Sequence, residues 1–306
     1  MLARFAIFTA NKSVGDQKMC ELDQLTAMPS VNRRQFGALA GAGALGACAP
    51  MGGAASTTSG LTETAVSFPA PGGTFDGVFI HPASGAHPAV ILWPDIAGLR
   101  PAKLMMGRRL AEAGYAVLVA NPYYRSVSGQ QFADFDAWRS GGGMDSVRPW
   151  MAQNTPENVQ ASARAIVAWL DEQGHVDSNK AIGNQGYCMT GSWTVFCAAA
   201  VPGRIKAAAS FHGGGLAGDA PNSAMNMFDD MADDAKALFA IAKNDDATAP
   251  ADKDKLRAAA TAAGLDAIIE VYQGDHGWTV PDSPVYNQAE ADRAWAALLA
   301  LYSRAL

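Results

Sequence analysis

Signatures of metal binding and nucleic-acid binding are scarce in this chain. Its 306 residues include five histidines and four cysteines, and none is arranged as Cys-x-x-Cys or His-Glu-x-x-His. We therefore expect no metal and no other cofactor. The net charge is -6, and acidic and basic residues are interspersed rather than gathered into the basic stripe that nucleic-acid binding requires. Nucleic acid is excluded as an expected partner.

A long hydrophobic run is also missing. The apolar Gly/Ala-rich stretch at 37–47 is too short to cross a bilayer, but it follows Arg33 and Arg34. Twin arginines before a short apolar stretch predict a twin-arginine export signal and a periplasmic protein. Met28 stands where such a signal would start, so translation from either Met1 or Met28 remains open.

The export signal ends in Leu-Gly-Ala-Cys at 45–48, which resembles the lipobox of bacterial lipoproteins. On that interpretation Cys48 is acylated and anchors the mature protein to a membrane, which is the only membrane contact expected. The alternative is an ordinary signal peptide that is cleaved at about 52–56, so that Cys48 is discarded.

The remaining chain has the composition of one globular unit. A hydrophobic content of 49% is ample for one core and marginal for two. The predicted organisation is an extension and signal at 1–48, a flexible Gly/Ala/Ser/Thr tether at 49–60, and a single catalytic domain at 61–306.

Short apolar runs alternate with helical periodicity through this domain. Strands are predicted at 77–81, 89–93, 116–120, 180–183, 207–211, 238–242 and 267–272. Helices are predicted at 101–113, 158–173, 192–201, 253–263 and 288–303. Such alternation predicts an α/β fold with a mostly parallel sheet covered on both faces. The stretch 126–156 is predicted as a loop or small helices near the site.

Cys188 is the strongest candidate nucleophile. It lies between Gly186 and Gly191, directly after an apolar run and before a helix-forming stretch. A sharp turn from strand to helix exposes a nucleophile beside backbone N–H groups. Cys197 and Ser192 are interpreted instead as a core residue and a structural helix residue.

Two further candidates follow later strands, in the chain order nucleophile, acid, histidine. Asp246 follows the run 238–242, and His276 follows the last strand. Asp245 is the alternative acid, and the spacing to Pro250 favours Asp246. His212 is a weaker alternative base that we expect to line the substrate pocket.

These motifs resemble the dienelactone hydrolase family. The resemblance rests on Gly-Tyr-Cys-Met-Thr-Gly at 186–191, on Asp246 with Pro250, and on Asp-His-Gly-Trp-Thr-Val-Pro-Asp-Ser-Pro-Val-Tyr at 275–286. Upstream, Trp-Pro-Asp-Ile-Ala-Gly at 93–98 and the segment 114–125 resemble the oxyanion loop and a substrate-contacting arginine. The resemblance as a whole covers about residues 74–306.

The resemblance implies an α/β-hydrolase fold with a Cys-His-Asp triad of Cys188, His276 and Asp246. It also implies an oxyanion hole formed by the amides of Ile96 and Met189. Substrate contacts are expected from Asp95, Tyr124, Arg125, His212 and Trp278.

Three positions depart from the family pattern. Thr190 replaces a glycine after the nucleophile, Asp95 replaces a glutamate, and 279–281 lacks the second arginine found in dienelactone-specific members. The predicted activity is therefore hydrolysis of a small-molecule carboxylic ester or lactone through a thioester on Cys188. The alternative is a non-catalytic, lipid-anchored binding protein that retains the fold.

Overall fold

The computed structural model describes residues 56–58 and 60–306. The predicted export signal and Cys48 lie outside the described residues, as does most of the predicted tether. Within the described part of the chain, no helix has both the length and the hydrophobicity needed to cross a membrane.

A single twisted sheet organises the described chain. Its nine strands lie in the order β1-β2-β3-β5-β4-β6-β7-β8-β9. The strands are β1 (Ser56–Thr58), β2 (Leu61–Ala70), β3 (Gly73–Pro82), β4 (Ala89–Trp93), β5 (Ala116–Ala120), β6 (Ile182–Tyr187), β7 (Ile205–Phe211), β8 (Lys236–Ala242) and β9 (Asp266–Tyr272). The pairs β1/β2, β2/β3 and β3/β5 are antiparallel, and all the others are parallel. The prediction of a mostly parallel sheet is confirmed.

Helices cover both faces of the sheet. They are α1 (Pro101–Glu112), α2 (Phe135–Ser140), α3 (Gly143–Met151), α4 (Pro156–Asp171), α5 (Trp193–Ala200), α6 (Lys243–Thr248), α7 (Asp252–Ala262) and α8 (Gln288–Ala305). Buried residues form one cluster that includes α4 and α5 and another that includes α1 and α8. Helices α2 and α3 lie in the segment predicted as a loop or small helices.

The strand order changes direction between β4 and β6. The chain leaves β4 towards β5 on one side, whereas β6 to β9 extend on the other side. Ligands of open α/β sheets bind beyond the carboxyl ends of the strands at such a switch point. Ile96 follows β4 and Cys188 follows β6, so these two residues flank that point.

Apolar strands were predicted accurately, and a strand with polar residues was not. The bounds of β4 and β5 agree with the prediction, but β6 continues to Tyr187 rather than ending at Gly183. Asn184 and Gln185 are polar although both are buried, so the apolar pattern did not indicate that the strand continues through them. The amide of Asn184 donates to Thr194 O at 2.6 Å, and the amide of Gln185 accepts from the Tyr302 hydroxyl at 2.9 Å.

The β2–β3 hairpin extends the sheet beyond the predicted elements. β2 pairs with β3 along its whole length, from Leu61 to Ala70. Gly72 turns the chain with a φ of 90°, a value that glycine adopts without strain. The predicted tether is also wrong at its end, because Ser56–Thr58 pairs with β2 as an edge strand.

Candidate active site

Cys188 lies on a strained turn at the end of β6. Its φ is 54°, in the left-handed region that residues with a side chain rarely adopt. The residue is 3% exposed and lines a pocket. Its carbonyl accepts hydrogen bonds from the amides of Gly191 and Gly214, at 3.1 Å and 3.0 Å. The turn predicted from the flanking glycines is therefore present and is held on two sides.

Thr190 fits this turn through its hydroxyl. The amide of Tyr187 donates to Thr190 Oγ1 at 2.9 Å, and the same hydroxyl lies 3.1 Å from the carbonyl oxygen of Trp93. Thr190 thus ties the turn to the end of β4. The departure from glycine here supplies hydrogen bonds that a glycine could not make.

Asp245, and not Asp246, contacts the histidine. The Nδ1 atom of His276 lies 2.8 Å from Asp245 Oδ2, while Asp246 Oδ1 pairs with Lys253 Nζ at 2.6 Å. The preference for Asp246 was wrong because α6 directs these neighbouring side chains to different sides. His276 is further held by its amide, which donates to Asn244 Oδ1 at 2.8 Å.

Ile96 and Met189, the predicted oxyanion hole, lie just after β4 and β6. Ile96 follows β4, and Met189 directly follows Cys188 in the first turn of a short 3₁₀ helix. In the described chain neither amide donates to a backbone carbonyl, and an amide in a first helical turn has no acceptor within its own helix. Both N–H groups are therefore available to a ligand.

Tyr123 supports this loop and was not predicted from the sequence. Its hydroxyl donates to the carbonyl of Ile96 at 2.7 Å and lies 3.5 Å from Met189 Sδ. Burial, first, and the charge of Asp95, second, raise the pKa of Tyr123 well above its usual value. The Tyr123 hydroxyl is thus neutral, and it contacts both Ile96 and Met189, whose amides form the predicted oxyanion hole.

The carboxylate of Asp95 forms ion pairs with two buried cationic side chains. It accepts from Arg100 at 2.7 Å and 2.9 Å, and it pairs with Lys103 Nζ at 2.8 Å. Burial alone would raise the pKa of Asp95, but the charges of Arg100 and Lys103 hold that pKa well below its usual range. Arg100 also binds Asp282 at 2.8 Å. These ion pairs join the segment after β4, which holds Asp95, to the loop after His276, which holds Asp282.

His212 lines the same pocket as Cys188 and His276. Its φ is 41°, its ring lies 4.8 Å from that of His276, and its Nε2 is 3.3 Å from Thr279 Oγ1. Burial, followed by the nearby His276 and Lys103, holds the pKa of His212 well below its usual value. The ring of His212 is consequently neutral near neutral pH.

Buried neutral His212 predicts a loss of stability in mild acid. The unfolded chain binds a proton at this residue below a pH of about 6.5, whereas the native state does not. The free energy of unfolding should therefore fall by up to about 1.4 kcal/mol per pH unit as the pH drops below that value. In His212→Asn this contribution should disappear, as judged by urea unfolding from pH 7.5 to pH 5. An identical slope in the two proteins would contradict the assignment.

The pocket contains only part of the predicted substrate-contacting set. It is lined by Asp95, Phe135, Cys188, His212, His276, Gly277, Val280 and Ser283, and the empty space there, open solvent included, is about 240 Å³. Phe135, Val280 and Ser283 were not predicted. Phe135 comes from the segment 126–156, and the other two lie within the 275–286 motif, which resembles the family but assigned them no role.

Three predicted contacts lie elsewhere. The hydroxyl of Tyr124 bonds to Pro71 O at 2.7 Å, and its ring packs against Phe75 in the core. Arg125 donates to Asn158 O at 2.8 Å. Trp278 is fully buried and lies behind His212, with 5.2 Å between the rings. Trp278 therefore packs against a pocket residue. Tyr124 instead contacts the core, and Arg125 contacts α4.

The other thiol and the rival hydroxyl have structural surroundings. Cys197 is fully buried within α5, and burial raises the pKa of its thiol. Ser192 directly precedes α5, one turn beyond Cys188. Neither residue lines the pocket described above.

Comparisons with known proteins agree with this architecture. The model of the dienelactone hydrolase family matches residues 75–306. A protein of Synechocystis named "Putative carboxymethylenebutenolidase" is 26% identical over 226 residues, covering 73% of this chain and 89% of that protein. A protein of Salmonella typhi with the same name is 27% identical over 243 residues, covering 78% of this chain and 86% of that protein.

A solved structure shows the same fold. The crystal structure of a "Putative Dienelactone Hydrolase" from Klebsiella pneumoniae superposes with a TM-score of 0.67 at 23% identity, over 80% of this chain and 99% of that one. The predicted α/β-hydrolase fold is confirmed. Because the family model covers β4 to β9, the turn at Cys188 and the His276 loop together, this chain belongs to the dienelactone hydrolase family and is a hydrolase.

Proposed function

We propose that this hydrolase cleaves small carboxylic esters or lactones through a thioester formed on Cys188. The observation that carries the proposal is the 2.8 Å contact between His276 Nδ1 and Asp245, in the pocket that Cys188 also lines. Such a contact fixes the tautomer of the imidazole, so that Nε2 is the atom that accepts a proton. The names of the two relatives, which denote lactone hydrolysis, support the same substrate class.

The first half-reaction acylates the thiol. His276 Nε2 takes the proton of Cys188 Sγ, and the thiolate attacks the carbonyl carbon to form an S–C bond. The oxyanion that develops accepts hydrogen bonds from the amides of Ile96 and Met189, each worth about 3 kcal/mol in comparable sites. The C–O bond to the leaving group then breaks, and the imidazolium returns its proton to the departing oxygen.

The second half-reaction releases the acid. His276 deprotonates a water molecule as it attacks the thioester carbonyl, and the S–C bond breaks. The thiolate of Cys188 recovers the proton from His276. In a lactone the leaving oxygen stays covalently attached to the acyl group, so ring opening and acylation are the same step.

Alkylation of the thiol tests this proposal against a non-catalytic binding protein. The full chain should hydrolyse p-nitrophenyl butyrate, and iodoacetamide should remove this activity in proportion to the Cys188 peptide that it labels. Prior saturation with ester should slow the labelling. A chain that neither turns over the ester nor reacts with iodoacetamide near neutral pH would identify the binding protein instead.

We also propose that the chain is exported and anchored through Cys48. The support is the twin-arginine stretch with its Leu-Gly-Ala-Cys ending at 45–48. Intact mass of the membrane-extracted protein should begin at a lipid-modified Cys48. A soluble periplasmic form that begins at 52–56 would contradict the anchor and leave export standing.

A further inference from the structure

The pocket beside Cys188 offers no fixed positive charge. In the described chain, the residues that line it include no lysine and no arginine. Phe135 and Val280 give it apolar walls, and Ser283 adds a neutral hydroxyl. A substrate carboxylate in this space would lose its hydration without gaining a cationic partner, which is costly for any buried charge.

The nearest cations cannot serve a substrate. Arg100 and Lys103 have 0% side-chain exposure, and their charges are matched by the carboxylates of Asp95 and Asp282. Lys103 also lies 4.2 Å from the centre of the Tyr187 ring. Arg100 and Lys103 are therefore already paired with carboxylates of this chain.

Arg125, the remaining candidate for binding a carboxylate, has other partners. Its guanidinium donates to the carbonyl of Asn158 at 2.8 Å and lies 4.6 Å from the centre of the Tyr124 ring. The same side chain also packs against Gly72 of the β2–β3 turn. Arg125 thus joins that turn to α4 and does not line the pocket.

His212 adds a neutral polar group instead. Its side chain is buried, and within the described chain its Nδ1 atom has no hydrogen-bond partner. Because burial holds the pKa of His212 low, this ring lines the pocket as a neutral group and does not become a cation for a substrate carboxylate near neutral pH.

We propose that the pocket selects esters and lactones with short, uncharged acyl groups and rejects those that carry a carboxylate. The apolar walls at Phe135 and Val280 hold the acyl chain, and the neutral ring of His212 supplies no charge that would pair with a carboxylate. This inference rests on the ester hydrolysis proposed above. It sets this chain apart from members of the family whose arginines bind an acidic lactone.

Matched esters separate charge from size. Full-chain protein is assayed by acid release with methyl butyrate, with monomethyl succinate, which has the same chain length and a terminal carboxylate, and with the methyl ester of that succinate. We expect kcat/KM for the butyrate to exceed that for the succinate by about 100-fold or more. The methyl ester, although larger, should be cleaved at least about tenfold faster than the free acid. Equal rates for the free acid and either neutral ester would overturn the proposal.

Two variants locate the source of the selectivity. Val280→Arg, and separately Ser283→Arg at the more exposed edge of the pocket, should each narrow the ratio of butyrate to succinate by at least about tenfold, chiefly by raising the succinate rate. A melting curve identifies a variant that fails to fold, in which case the other variant decides. Arg125→Gln should leave the ratio within about twofold of the wild-type ratio.

The outcomes distinguish this inference from the function on which it rests. A selective loss of succinate hydrolysis in Arg125→Gln would overturn the inference, while butyrate turnover that depends on Cys188 would leave the proposed function intact. Absence of turnover with all three esters would instead refute the proposed function.

Discussion

Replacing Cys188 with alanine should abolish ester hydrolysis. We expect kcat/KM for p-nitrophenyl butyrate to fall by at least about 10⁴-fold, because the proposed acyl intermediate forms on the thiol of Cys188. The thiol is small and the turn is held through the carbonyl of Cys188 and through Thr190, so the variant should keep its fold. Initial rates and a circular-dichroism melting curve test both expectations.

Cys197→Ala is the matched control. Cys197 is also a buried thiol, but it packs within α5 in the hydrophobic core. Its removal should cost about 1 kcal/mol of unfolding free energy and leave kcat/KM near the wild-type value. Undiminished turnover in Cys188→Ala, or equal losses in the two variants, would exclude Cys188 as the nucleophile.

Asp245→Asn should lower kcat by about 10³- to 10⁴-fold. An amide at this position can present its N–H group to His276 Nδ1 and so favours the tautomer that cannot accept the thiol proton. The effect should fall on kcat more than on KM, because Asp245 does not line the pocket. Steady-state rates over a range of butyrate concentrations separate the two parameters.

Asp246→Asn provides the neighbouring control. Asp246 pairs with Lys253, and both side chains are partly exposed, so the loss should cost at most about 1 kcal/mol of stability. The kcat of this variant should stay within about twofold of the wild-type value. The reverse ranking of the two asparagine variants would mean that Asp246 orients the histidine.

Which of Asp245 and Asp246 contacts His276 could not be predicted from the sequence. Residue types and chain order were sufficient to place an acid after β8 and a histidine after β9, because the carboxyl ends of parallel strands meet at one edge. Adjacent residues on a helix point about 100° apart, however, and the start of α6 decides which one faces His276. The spacing to Pro250 carries no information on that rotation.

Tyr123 and Tyr124 illustrate the same difficulty. Both residues lie in the turn that follows β5, where Tyr123 donates to the carbonyl of Ile96 while Tyr124 enters the core beside Phe75. The family resemblance pointed to the segment but not to the side. Contacts through a side chain at a strand end therefore required coordinates, whereas the strand itself did not.

The buried charges around Asp95 could not be predicted either. Arg100 and Lys103 are three residues apart at the start of α1, which is a common pattern on solvated helices. Only the packing of α1 against the pocket shows that both cations are buried with Asp95. Composition and motif spacing do not report burial of this kind.

Trapping the acyl-enzyme is the most direct test of the account. The full chain is mixed with p-nitrophenyl butyrate, quenched in acid within milliseconds, digested and examined by mass spectrometry. We expect one butyryl group on the peptide that contains Cys188, and neutral hydroxylamine should remove it, as it removes a thioester. A butyryl group on another residue such as Ser192, or turnover without any acylated peptide, would contradict nucleophilic catalysis by Cys188.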